Sequence, residues 1–121
     1  MAEYQPPGWP TVIPRIFCGD APGLVEFIKA VFDASGEYDR SVPAELRIGD
    51  SIVMVSGDEV RGAVPAFLYV YVPDADVTYE RAVMRGAVTI EAPLRTPYGD
   101  RRATVQDPWD NVWQIATRLA G

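Results

Sequence analysis

The order of apolar and polar positions divides the chain into extended and helical stretches. Thr11 to Phe17 (TVIPRIF) is β-branched and aromatic and reads as a strand, with Pro14 marking an edge position or a bulge. Asp20 is a suitable N-cap, and Pro22 falls in a first helical turn, where its missing N–H does no harm. Leu24, Phe27, Ile28, Val31 and Phe32 follow at helical spacing, which predicts an amphipathic helix ending before Ser35-Gly36. Three short extended runs come next: Glu37 to Val42, the alternating Ala44 to Ile48, and Ser51 to Ser56 after a Gly49-Asp50 turn. Gly57 to Pro65 is polar and reads as a linker.

The second half repeats this order. Phe67 to Val72 (FLYVYV) is a strand. Asp74 or Asp76 caps a second helix, with Val77, Ala82 and Val83 as its expected buried face and Arg85-Gly86 at its end. Ala87 to Ala92 and Asp100 to Gln106 are extended, Asp107 to Asn111 is a turn, and Val112 to Thr117 is the last strand. Strand, helix and three strands thus occur twice. Only two copies exist, so this is a duplication within one domain and not a solenoid. The expected organisation is an N-terminal arm at 1–10 and a single domain at 11–121. Within it, module 1 spans about 11–57, a linker 58–65, and module 2 about 66–118. The arm, rich in proline, is expected to be extended. Its Tyr4 and Trp9 could dock on this domain or on a neighbouring chain.

Composition narrows the function classes. The chain has 121 residues, enough for one hydrophobic core. Its net charge of −6, without a basic stripe, argues against nucleic acid as a partner. No apolar run has the roughly 18–20 residues of a membrane span, so no membrane partner is expected. A single cysteine, Cys18, excludes an intrachain disulfide and fits a reducing, cytoplasmic setting. There is no histidine at all, so the commonest general acid–base group and metal ligand is missing. Cys18 ends an apolar strand with no histidine to activate it, and reads as a small buried hydrophobe. Phosphate-cradling glycine motifs are absent.

Three strings, CGDAPGLVEFIKAVFDASGE, AELRIGDSIVMVS and YGDRRATVQDPWDNVWQIATR, stand in that order on the expected strands and helices. Together with the repeated βαβββ unit they resemble the vicinal oxygen chelate superfamily, in its glyoxalase/bleomycin-resistance branch and especially its PhnB-like members. The resemblance runs from about Val12 to Arg118. It implies an α+β fold of two tandem βαβββ modules forming a curved, eight-stranded, incompletely closed barrel-like sheet with the helices outside. It also implies a homodimer, with modules exchanged in some relatives. Metal-using members take His, Glu or Gln ligands from the first, fourth, fifth and eighth strands. By the resemblance these positions fall at about Ile13, Met54, Phe67 and Gln114. Isoleucine and phenylalanine offer no lone pair, and a thioether is a poor ligand for a hard divalent ion. No metal and no other cofactor is therefore expected. Pro43 stands where PhnB-like proteins often have a histidine.

With Ile13, Phe67 and Gln114 pointing into the cavity, strand alternation sends Arg15, Phe17, Tyr69, Tyr71, Val112 and Ala116 the same way. Leu46 and Ile48 should face the helices, leaving Glu45 and Arg47 inward with Met54 and Ile52. The expected ligand-binding set is Arg15, Glu45, Arg47, Met54, Phe67, Tyr69, Tyr71, Trp109 and Gln114: apolar walls with a few orienting polar groups. Trp109 sits in a turn that could line the cavity mouth or a dimer contact. The bland alternatives are a packed interior for the aromatic side chains and a solvated pair for Glu45 and Arg47. Trp113 has the opposite parity and belongs to the helix side. Arg101 and Arg102 read either as a solvated edge or as recognition of a carboxylate or phenolate. The expectation is metal-free binding or sequestration of a small organic ligand, such as an antibiotic or aromatic metabolite. The negative charge would favour a cationic guest. The alternative is an enzyme of lyase, isomerase or dioxygenase type with a non-standard metal or none. A third possibility is a packed relative that serves only dimerisation.

Overall fold

A computed structural model describes residues 4–119. Residues 1–3 of the expected arm, and 120 and 121 of the expected domain, lie outside them. Asp20 accepts from the Gly23 N–H and caps α1 (Ala21–Phe32), with proline in its first turn, as the sequence predicts. Its apolar stripe, Leu24, Val25, Phe27, Ile28, Val31 and Phe32, is buried. A Cβ at Gly23 would collide with the Asp20 carboxylate and the Trp109 ring, so glycine is required for this close approach.

The strands of the first half are β1 (Arg15–Phe17), β2 (Ala44–Ile48) and β3 (Ser51–Ser56). They form one sheet in the order β1-β3-β2, with β1 parallel and β2 antiparallel to β3. The strand expected from Thr11 begins only at Arg15, although the Pro14 carbonyl still accepts from Met54 N–H. Glu37 to Val42 is not a strand. Its place beside β2 is taken by a single bridge between Ser35 and Arg47, followed by a bridge between Asp39 and Val42. The reason is local: Gly36 (φ 133°) presses against the Glu45 carbonyl, and the Asp39 side chain accepts from the Ser41 N–H and hydroxyl. Both turn the chain away from the ladder.

The second half holds β4 (Phe67–Tyr71), α2 (Ala75–Met84), β5 (Val88–Arg95), β6 (Asp100–Gln106) and β7 (Val112–Arg118). Its sheet runs β4-β7-β6-β5, the same connectivity as the first with the outer strand complete. The α+β fold of two related modules is thus present as two sheets, not a closed barrel, with seven regular strands among the described residues. Asp74 is the N-cap of α2, accepting from the N–H groups of Asp76 and Val77. The buried face of α2 differs from the expected one. Ala75, Thr78 and Ala82 are buried, while Val77 and Val83 are exposed. Small side chains let the helix close on its sheet, and the larger valines remain outside.

One core joins both halves. Ile16, Leu46, Val53 and Val55 of the first sheet and Val105, Trp113 and Ile115 of the second meet the stripe of α1. Phe32 packs on Trp113 with ring centres 4.9 Å apart. Cys18 lies in this core, and burial pushes its thiol pKa up, as suits an inert side chain. Among the described residues no helix is long and apolar enough to cross a membrane.

Candidate functional site

Pairing registers fix which side chains share the sheet faces turned away from the helices. In the first sheet Arg15, Met54 and Glu45 form one row, and Arg47 stands opposite Ile52 in the next. In the second sheet Tyr69, Gln114, Thr104 and Glu91 form a row, and Tyr71, Ala116, Arg102 and Leu94 the next. Phe67 stands opposite Val112 and is two-thirds exposed. Parity therefore put these residues on the intended faces.

A cleft of about 380 Å³ opens between the two sheets. It is lined by Val12 and Pro14 before β1, by Ile48 to Val53 of β2, β3 and their turn, and by Leu68, Tyr69, Val70, Tyr71 and Trp113 of the second sheet. Pro10 also lines it, so the segment entering β1 forms part of the wall. Further up that segment, Gln5 donates to the Trp9 carbonyl in a turn, so it is not simply extended. Of the nine expected residues, Tyr69 and Tyr71 line this cleft and Arg15 lines a different one. Glu45, Arg47, Met54, Phe67 and Gln114 lie on the expected faces but line neither.

Trp109 lies apart from both clefts. It packs edge-on against Phe27 at 5.9 Å, on the helix side. The cause is Asp107, whose buried carboxylate accepts from the N–H groups of Trp109 and Asn111, from the Asn111 amide and from the Trp113 indole. That knot rolls the turn onto Gly23. The Asn111 side-chain oxygen then accepts from Ala66 N–H and fixes the entry to β4.

The strongest polar feature on the open face of the second sheet was not read from the sequence. Asp100 is fully shielded and accepts from Tyr69 (2.6 Å), Tyr71 (2.8 Å) and Arg118 (2.6 Å), while its own N–H donates to Thr96. Tyr69 also meets the Tyr98 hydroxyl at 3.1 Å, and Tyr98 accepts from Arg102. Arg102 grips Glu91 with two nitrogens, and Thr104 donates to the same carboxylate. Burial alone would raise the Asp100 pKa, but the two tyrosines and Arg118 outweigh it and hold the carboxyl below its ordinary range. Burial and the bond to Asp100 push the Tyr69 phenol up. Tyr98 is held below the ordinary phenol value, first by its bond with Tyr69 and then by Arg102. The two expected arginines diverge by the pleat: Arg102 joins this network, whereas Arg101 pairs with Asp76 of α2. The missed signal was the shared parity of Asp100, Arg102 and Thr104.

The model of the Glyoxalase/Bleomycin resistance protein/Dioxygenase superfamily matches residues 13–115, most of the chain. The chain belongs to this superfamily. A curated relative, the uncharacterised protein Mb0911c of Mycobacterium bovis, is 27% identical over 88% of this chain and 82% of its own length. Among solved structures, TioX from Micromonospora sp. ML1 superposes with a TM-score of 0.75 at 22% identity, covering 89% of this chain and 98% of that one. A glyoxalase/bleomycin resistance protein/dioxygenase family enzyme from Burkholderia phytofirmans PsJN gives 0.74 at 21% identity, covering 88% and 97%. At that identity the structures bear on the fold.

Membership in the superfamily sharpens the question of a metal. The positions that the resemblance assigns to its ligands, at about Ile13, Met54, Phe67 and Gln114, carry one amide oxygen and one thioether among them. Among the described residues no three His, Cys, Asp or Glu side chains converge as a metal would require. Gln114 itself is turned toward the Thr104 hydroxyl, at 3.5 Å. This donor set does not fit a divalent ion.

Proposed function

We propose that this chain is a small-molecule binding protein of the PhnB-like branch that holds a planar or aromatic organic guest in the cleft between its sheets. The observation that carries this reading is the cleft wall. Tyr69 and Tyr71, with ring centres 5.4 Å apart, stand beside Ile52, Val70 and Trp113 around a volume of about 380 Å³. Drug-sized ligands occupy sites of about 300–1,000 Å³ with such apolar walls and few polar groups. The buried bonds to Asp100 hold both tyrosine rings, so little order is lost when a guest arrives. Sequestration of an antibiotic or aromatic metabolite in the cytoplasm, by a homodimer, is the biological form of this role.

Trp113, one of three tryptophans, borders the cleft from within the core, so a saturable change in the chain's tryptophan emission reports occupancy. Titration with bleomycin and a panel of planar aromatic compounds should give saturable, one-to-one quenching by at least one of them. Tyr71→Ala should weaken that binding about fivefold to tenfold, as loss of one stacking face does. Absence of saturable quenching across the panel, or an unchanged affinity in the variant, overturns the reading.

One observation favours a second reading, an enzyme working without a metal. Tyr98 is an exposed phenol beside Arg102 and Tyr69, held below its ordinary pKa and so a readier proton donor. Turnover of a bound compound that is abolished by Tyr98→Phe, with binding retained, would establish it.

A further inference from the structure

The end of β1 and β3 and the loops at 38–43 and 57–61 enclose a second cleft of about 290 Å³, which shares no lining residue with the first. Three arginines, Arg15, Arg40 and Arg61, line it together with Phe17, Tyr38 and Ser56. The guanidinium carbon of Arg15 lies 4.9 Å from the centre of the Phe17 ring and that of Arg61 lies 6.0 Å from the same centre. Two cations thus share one aromatic ring. Among the described residues none of the three arginines forms an ion pair, whereas Arg101, Arg102 and Arg118 all do. The lone carboxylate in the cleft wall, Glu59, is folded back over Gly57. Arg15 is instead oriented by donating to the Ser56 hydroxyl at 3.0 Å.

Three guanidinium groups against the one carboxylate of Glu59 leave a surplus of positive charge, and an anion between like charges removes the cost of their repulsion. The chain as a whole carries −6, so its long-range field does not draw anions in. Recognition here must come from these local groups. Guanidinium forks match the oxygens of a carboxylate or phosphate. Tyr38 and Ser56 add hydroxyls, and Phe17 with Val42 supplies an apolar wall. We propose that this cleft binds a small organic anion, its carboxylate or phosphate held by Arg15, Arg40 and Arg61 and its apolar body against Phe17. The site is independent of the aromatic cleft and joins Arg15 and Phe17, which strand parity set on one face, to Arg40, Arg61 and Tyr38, which it did not reach.

Calorimetric titration of the whole chain with phenyl phosphate, benzoate and neutral benzyl alcohol tests this. At least one of the two anions should bind one-to-one, at least tenfold more tightly than benzyl alcohol, and more weakly as sodium chloride is raised. Whichever anion binds more tightly assigns the head group. Arg40→Gln and Arg61→Gln should each weaken binding about tenfold, and the double variant should abolish it. Arg95→Gln on β5, a control arginine away from this cleft, should leave it unchanged. Both target side chains are exposed, so an unaltered melting temperature verifies the fold. Binding of neither anion, benzyl alcohol binding as tightly as the anions, equal affinity in the double variant, or equal weakening by Arg95→Gln overturns the proposal. Tryptophan quenching by guests of the other cleft should be unaffected by Arg40→Gln and Arg61→Gln, which separates failure of this site from failure of that one.

Discussion

Asp100 and Arg118 stand opposite each other across the β6–β7 ladder, and the guanidinium reaches a carboxylate that has no solvent exposure of its own. Asp100→Asn should lower the melting temperature at neutral pH, because Arg118 and two phenols lose a charged acceptor. The folded-state pKa of Asp100 is depressed, so its contribution is present above the unfolded value. It is lost as pH falls through the lower folded one. Melts of both proteins at pH 7 and pH 3 should therefore show a difference that shrinks in acid. A constant difference would contradict this.

Asp107 organises the turn that carries Trp109. Asp107→Ala leaves the Trp113 indole N–H and the Asn111 amide without their acceptor in a buried place. The expected loss is about 3 kcal/mol, read as a lower urea midpoint at an unchanged slope.

Gly23→Ala places a methyl group against both the cap and a ring. Asp20 cannot keep its bond to the backbone at 23 while Trp109 stays on Phe27. A destabilisation of about 1–2 kcal/mol is expected by chemical denaturation.

Tyr98 and Tyr69 should titrate apart. An ultraviolet titration should show one phenol ionising below the ordinary value, with Tyr69 remaining protonated beyond it. Tyr98→Phe should remove the early component. Tyr69→Phe should shift it upward, because the bond between these two hydroxyls is the largest influence on Tyr98.

Chelation should leave the melting temperature unchanged, and added manganese, nickel or zinc should not raise it, since Ile13, Met54, Phe67 and Gln114 offer too few donors. A near-stoichiometric ion in protein purified without chelators would show that other residues build a site.

How far these features could be read from the chain depends on the range of the interactions involved. The first helix was legible because its cap, its proline and its apolar stripe lie within a dozen residues. The second was legible at its cap but not at its face, because its burial follows from the small side chains of Ala75, Thr78 and Ala82 rather than from its valines. Strand parity placed Arg15, Glu45, Arg47, Met54, Tyr69 and Gln114 on their faces, since alternation is a local rule. It could not join Tyr69 and Tyr71 to Asp100, which are brought together only by the ladders of β4, β7 and β6. Nor could it foresee that the Asp107 carboxylate would roll Trp109 behind the sheet. The expected run at 37–42 failed because Gly36 and Asp39 each favour a turn over a ladder.

Among the described residues the two sheets share no ladder and meet through side chains packed on α1, with Phe27 against Trp109 and Phe32 against Trp113. The spacing of the two sheets is therefore set by how the side chains of one shared core fill the space between them, these rings among them, and not by a hydrogen-bonded register.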